Sequence, residues 1–379
     1  MPKYVALFFA DSHVDTHAWV GHPTLRGDSQ HAFRHIIDKA IEHKVHNIFA
    51  AGDLIDVRRP PSEVAEFLRT QLDRLATISF RYIQGQHELS SPPWLSAISD
   101  NVQHLDGREP VNVYGTGGMS LIGIDWQPAD KLAEKLEAIP DDVDILMAHQ
   151  VWEDFMGENA VCEGSFEQVP TKTMFTGDFH KYMDVDVNGS KMQKLRVISP
   201  GATNIRAMGE SSHKYYMLLD DEGCWHKKRI PTRPYGEMDV FDESDLEALA
   251  KDWPRKFVNL QKASKERIQL TSHRDLPDDL LKPIYRIIHP DHLSVKKAVQ
   301  QAIGKDAFIF YKRTRTETEE KKQRRIDRRV VLDRGVNGCL PLAISREDKR
   351  FKPLARLLNS PNPKLELQAM KQEVFGDDE

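Results

Sequence analysis

Only three cysteines, Cys162, Cys224 and Cys339, occur in 379 residues. They stand too far apart to make a metal-binding pair. An odd number with no two neighbouring suits a reducing compartment and no disulfide framework. Long hydrophobic runs are lacking as well. The run nearest the N-terminus, Tyr4 to Ala10, is too short to cross a bilayer, and no small-residue cleavage site follows it. A cytoplasmic protein with no membrane partner is the expectation. No internal repeat or low-complexity segment is present. Nor is positive charge in excess: 53 Lys and Arg against 58 Asp and Glu give a formal net charge of -5. That argues against a protein basic throughout, and it leaves room for a local basic patch.

What remains is ordinary globular material, 40% hydrophobic and 29% charged. The length exceeds one compact core, so two or three domains are expected. Tyr4 to Ala10 reads as a strand covered on both faces that stops at Asp11-Ser12-His13. Phe33, Ile36, Ile37, Ala40 and Ile41 then mark one helix face, with Ser29 as its cap. A second buried strand, Asn47 to Ala51, ends on Gly52-Asp53-Leu54-Ile55-Asp56. Strand, helix and strand of this length make a right-handed crossover, which sets Asp53 beside Asp11 at one sheet edge.

The unit repeats. After the basic loop Arg58-Arg59-Pro60-Pro61, a helix capped by Ser62 carries Val64, Phe67, Leu68, Leu72 and Leu75 on one face. It leads to a strand at Arg81 to Ile83 that ends on Gln84-Gly85-Gln86-His87-Glu88. Val111 to Ile124 reads as an antiparallel meander. A further buried strand, Asp144 to Ala148, delivers His149, and one more strand, Lys172 to Thr176, ends at Gly177-Asp178-Phe179-His180. Ligands collect at the carboxyl ends of such strands.

The prolines of Ile230-Pro231-Thr232-Arg233-Pro234-Tyr235 mark a domain edge. The division expected is 1–235 for the part with the strand-end motifs, 236–335 for a mixed α/β part, and 336–379 for a helical tail. Lys312 to Arg329 is strongly basic, readable as a solvated face or as a phosphate contact. In the tail, Leu354, Leu357 and Leu358 share a helical face.

A two-metal phosphoesterase needs two divalent ions roughly 3.5–4 Å apart, one shared ligand and an open edge. The strand-end motifs supply such a set: Asp11, His13 and His180 for one ion, Gln86, His149 and Asp178 for the other, and Asp53 between them. His87, beside a ligand without being one, is placed to stabilise or protonate the departing oxygen.

These motifs resemble those of the calcineurin-like metallophosphoesterase superfamily, in the order Asp-x-His, Gly-Asp-x-x-Asp, Gly-Asn-His-Glu, His and Gly-His-x-His. Within it, Pro60-Pro61-Ser62, Ser199-Pro200-Gly201-Ala202 and Ile230 to Pro234 are similar to the SbcD branch of Mre-type DNA-repair nucleases. The resemblance implies an α/β fold: a metallophosphoesterase β-sandwich flanked by helices, a smaller α/β capping domain facing DNA, and a helical C-terminal tail. It further implies DNA as substrate, a homodimer, and an SMC-like coiled-coil ATPase subunit docked on the tail.

Two positions depart from the pattern. Gln86 stands where the family has asparagine, and Asp178 where it has histidine. The second site is thereby richer in oxygen, which favours Mn²⁺, or Mg²⁺, over Zn²⁺. A non-catalytic DNA-binding scaffold with a degenerate second site, and a small-molecule phosphoesterase, are the alternative readings.

Overall fold

The first strand shows why an unbroken apolar run is needed. In β1 (Tyr4–Phe9), Leu7 and Phe9 face one hydrophobic cluster while Ala6 and Phe8 face another. Val5 shares the second cluster with Ala6, and this break in alternation coincides with a register shift against the neighbouring strand. The computed structural model describes residues 2–14, 27–114, 118–156, 163–207, 210–269, 282–290 and 292–313. The helical tail, its apolar stripe and nearly all of the basic run from Lys312 to Arg329 lie outside the described residues.

Helix α1 (Gly27–His43) and α2 (Ser62–Asp73) alternate with β1, β2 (Asn47–Ala51) and β3 (Ser79–Ile83). The three strands pair in parallel, as the crossover reading requires. A short parallel strand β4 (Val102–His104) extends this sheet at one edge. At the other edge it continues antiparallel into β11 (Lys214–Asp220) and β12 (Trp225–Ile230). Phe33, Ile36 and Ile37 of α1 and Leu68 and Leu72 of α2 cover its outer face.

A second six-stranded sheet has the order β5 (Val111–Asn112), β6 (Ser120–Ile124), β7 (Ile145–His149), β8 (Thr173–Gly177), β10 (Lys194–Ser199) and β9 (Met183–Asn188). The meander reading holds for β5 and β6, which pair antiparallel; β6, β7 and β8 then run parallel. Helix α3 (Ala129–Glu137) covers the outer face with Leu132 and Leu136. Between the sheets lies an aromatic centre, with Phe8 stacked on Phe49 at 4.7 Å and Phe175 on Trp225 at 6.0 Å. The expected sandwich flanked by helices is therefore what the chain forms.

Neither serine caps its helix. Ser29 lies inside α1, where its hydroxyl donates to the Val14 carbonyl at 2.8 Å. Ser62 is the first helical residue of α2, after Pro61, and no side chain caps that end. Both segments keep their helical face, because apolar packing outweighs a cap of about 1 kcal/mol.

A three-stranded sheet follows: β13 (Tyr235–Asp239), β14 (Ile284–His289) and β15 (Phe308–Arg313). It packs with α4 (Glu243–Gln269) and α5 (His292–Ile303) around its own core of Leu249, Trp253, Ile287 and Val299. Arg233, at the expected domain edge, is buried and bidentate to Asp28 of α1, both contacts at 2.8 Å. Its guanidinium also donates to the Lys282 carbonyl, which fastens this sheet to the first one.

Candidate metal centre

Backbone pairing runs past the ends of β1 and β2 into the motif turns. Asp11 N–H donates to the Gly52 carbonyl at 3.1 Å, and His13 N–H to the Asp53 carbonyl at 3.0 Å. Across the sandwich, His149 sits opposite Gly177 in the β7–β8 pair. The amide of Asp178 then donates to the Asp11 carboxylate at 3.0 Å. Four strand ends from two sheets thus meet at one point.

The turns are strained. Asp11, His13, Asp53 and Asp178 have φ of 52°, 44°, 49° and 73°, and they are four of seven non-glycine residues with positive φ among the described residues. Such conformations cost of order 1–3 kcal/mol each and persist where surroundings over-determine them. Buried Glu88 is one such constraint, its carboxylate accepting the amides of Ile55 at 3.1 Å and Gly85 at 3.4 Å. Gly85 and Gly177 are required by close approach. A Cβ at Gly85 would lie 2.1 Å from Asp53 Oδ1, and one at Gly177 2.5 Å from His149 Nδ1.

Two sets of ligand atoms result, each within 4.8 Å: Asp11, His13 and His180, and Asp11, Asp53 and His149. Asp53 Oδ2 lies 3.8 Å from His13 Nε2 and 3.4 Å from His149 Nε2, so it reaches towards both sets. Asp178 Oδ1 is 3.8 Å from His149 Nε2 and accepts the Gln86 amide at 2.6 Å. All seven expected ligands are therefore gathered in one place. His87 is half-exposed at its rim, with Nε2 3.8 Å from Asp53 Oδ2.

Sequence reasoning gave no role to four residues that hold these ligands. Asp56 accepts from His13 Nδ1 at 2.7 Å and from Arg206 Nη2 at 2.6 Å. Arg206 Nη1 lies 2.8 Å from His13 Nε2. Glu210 stands 3.9 Å from His180 Nδ1 and is paired with buried Lys214 at 2.8 Å. Asp56 was visible as the last residue of its motif. Arg206, Glu210 and Lys214 follow the last motif at no telling spacing, and only the fold brings them back.

Burial works against charge on His149, yet the neighbouring carboxylates, Asp53 first, push its pKa up to about 10. Burial alone would raise the Asp53 carboxyl, but His149 and the other imidazoles hold it well below the usual carboxylate range. Burial raises Asp11 and lowers His13. Glu88 is pushed up to about 8 by burial and then by the Asp53 charge.

The donor set fits divalent cations. Asp11 Oδ2, Gln86 Oε1 and His149 Nε2 are buried without a hydrogen-bond partner, a cost of about 1–3 kcal/mol each unless something else satisfies them. His149 Nδ1 donates to the Ala51 carbonyl at 2.7 Å, which aims Nε2 into the centre. Oxygen and imidazole donors around a shared carboxylate suit divalent metal ions.

Comparison with known proteins agrees with this geometry. The chain is 26% identical over 309 residues to "DNA double-strand break repair protein Mre11" of Methanosarcina mazei, covering 75% of this chain and 49% of that one. The protein of the same name from Methanosarcina acetivorans is 28% identical over 55% of this chain and 36% of its own length. That from Haloferax volcanii is 26% identical over 60% and 53%. The chain thus spans about half or less of these relatives. Residues 5–187 match the calcineurin-like phosphoesterase family, and they carry every expected ligand.

Proposed function

We propose that the chain is a two-metal-dependent DNA nuclease that hydrolyses phosphodiester bonds in the repair, recombination or processing of DNA ends. The observation that carries this is the meeting of Asp11, His13, Asp53, His149, Asp178 and His180 with three unpartnered donor atoms at one point. Asp11, His13 and His180 would hold one ion, Gln86, His149 and Asp178 the other, and Asp53 would join them. Bound ions would supply a nucleophile at neutral pH and neutralise charge on the phosphate. Asp56 and the Ala51 carbonyl fix the rings of His13 and His149, so little reorganisation is needed when substrate arrives. His87 faces solvent beside Asp53, where its Nε2 can give a proton to, or hold, the departing oxygen.

The rest of the reading follows the relatives' printed role in double-strand break repair. Residues 1–235 would be the catalytic domain, 236–335 a capping domain facing DNA, and 336–379 a tail docking on an SMC-like coiled-coil ATPase, in a homodimer. Mn²⁺ is the preferred ion, and the cytoplasm the place of action. No helix among the described residues is long and apolar enough to cross a membrane.

The test is cleavage of defined DNA ends with Mn²⁺, Mg²⁺ or chelator. Activity with Mn²⁺ that chelator abolishes is expected. One observation favours a second reading, a non-catalytic DNA-binding scaffold: the Gln86 amide is already engaged with Asp178. Metal content separates the two, with two ions per chain for the nuclease and one for the scaffold.

A further inference from the structure

Beside the metal centre lies a groove of about 1200 Å³ that begins at His180 and Glu210 and ends on the third sheet. The motif chemistry makes no use of it. One side is formed by Lys181 and Tyr182 after the last motif and by Lys214 and Tyr215 at the start of β11. The other is formed by Tyr235 and Glu237 of β13, Arg286 of β14 and Lys312 of β15.

Its charge is positive. Lys214 is paired with Glu210 at 2.8 Å, and Arg286 reaches Glu237 at 3.5 Å. These two pairs cancel, which leaves Lys181 and Lys312, both exposed, as cations with no ion pair among the described residues. Arg286 is buried, and its Nε has no hydrogen-bond partner. Aromatic surface adjoins this charge: the rings of Tyr182 and Tyr215 are 5.0 Å apart, and Lys227 Nζ stands 4.0 and 4.8 Å from their centroids.

We infer that this groove holds a single strand of nucleic acid on its way to or from the metal centre. The inference rests on the nuclease reading and narrows its substrate. Cations spaced along a groove match phosphates, and ring faces match bases. Ring faces also decide between one strand and two. The faces of paired bases are covered by their neighbours in the duplex, so only an unpaired base can lie on Tyr182 or Tyr215. A duplex in the same place would use the cations alone.

Binding of a labelled oligothymidylate of about 12 nucleotides and of a blunt duplex, each measured by anisotropy in EDTA, tests this. The double variant Tyr182→Leu/Tyr215→Leu keeps apolar bulk and removes the rings. It should weaken single-strand binding roughly 10-fold and leave duplex binding within about twofold, since stacking is read by unpaired bases only. Arg286→Gln/Lys312→Glu should weaken single-strand binding and flatten its salt dependence by one to two phosphates, about 1–2 in the logarithmic slope. Lys194→Glu, on an exposed edge away from the groove, should change neither.

If both double variants bind the single strand within about twofold of wild type, or the ring variant loses duplex binding equally, the groove is not a single-strand path. Should the ring variant melt early, the charge variant decides alone. Cleavage by the wild type, assayed in parallel, judges the nuclease reading separately: strand binding that depends on the groove without cleavage keeps this inference and ends that one.

Discussion

Gln86 donates its side-chain amide to Asp178 at 2.6 Å, so the two residues that depart from the family pattern hold each other. The contact has two consequences inside the centre. It turns Gln86 Oε1 into a buried atom without a partner and sets Asp178 Oδ1 3.8 Å from His149 Nε2. Gln86→Asn should shorten the amide's reach and break the contact. Asp178→His should replace a carboxylate with an imidazole and shift preference from Mg²⁺ towards Co²⁺ or Zn²⁺. Each single variant is expected to lose more activity than the pair, with a coupling of about 0.5–3 kcal/mol. Cleavage rates of wild type and all three variants across Mn²⁺, Mg²⁺ and Co²⁺ measure it. An inert wild type with an active double variant would mean that the natural pair has lost the second ion.

His87 offers a cleaner separation of roles. Its backbone amide donates to Asp53 at 3.3 Å, while its ring is half-exposed, with Nε2 3.8 Å from Asp53 Oδ2. His87→Ala should therefore lower the cleavage rate by about 10²–10⁴-fold and leave two ions bound. Metal analysis and single-turnover rates on the same preparation check this. Full activity in the variant removes the proposed role; loss of an ion makes His87 a ligand instead.

The fold was readable where one physical cause acts along the chain. Apolar runs announced β1, β2 and β7 because both faces of both sheets are covered, and residues at their ends had to share an edge. The helices were legible from their apolar faces, although Ser29 and Ser62 proved to sit inside them, since a serine at a helix start is a weak signal beside packing. What brings Arg206 to His13 is different. It depends on the chain returning through β10 and the Ala202 bridge to Ala10, and no local spacing encodes that return. The pairing of Asp28 with Arg233 is hidden for the same reason.

Asp56 is expected to matter for metal affinity although it reaches no ion. It accepts the His13 Nδ1 proton at 2.7 Å and holds Arg206 at 2.6 Å. Asp56→Ala frees the ring to turn and leaves the Arg206 guanidinium uncompensated 2.8 Å from the ligand nitrogen. Both effects oppose a cation at the set formed by Asp11, His13 and His180. Affinity at that site should fall about 10–100-fold. Titration calorimetry with Mn²⁺ should show one weakened and one unchanged binding event. Two unchanged events would make Asp56 a structural residue only.

The charge state of His149 predicts how metal binding follows pH. With its pKa raised to about 10, the imidazole keeps a proton at neutral pH in the metal-free chain, held by Asp53, Asp11 and Asp178 against the pull of burial. Nδ1 donates to the Ala51 carbonyl, so the proton in excess sits on Nε2, the atom aimed at the ion. An arriving cation must displace it. Binding should therefore release one proton from this group, and affinity should rise about tenfold per pH unit between pH 6.5 and 8.5, levelling only as pH approaches the raised value. The same shift works in the opposite sense on the metal-free fold. A group whose pKa is higher folded than unfolded stabilises the fold fully below its unfolded value near 6.5, and that contribution is lost as pH climbs towards about 10. Raising the pH should thus tighten Mn²⁺ binding while loosening the chelated protein. Calorimetry in two buffers of different ionisation enthalpy counts the proton, and thermal melts with and without chelator follow the two opposed trends. A binding heat independent of buffer, with affinity flat across that range, would show that Nε2 of His149 is already free for the ion.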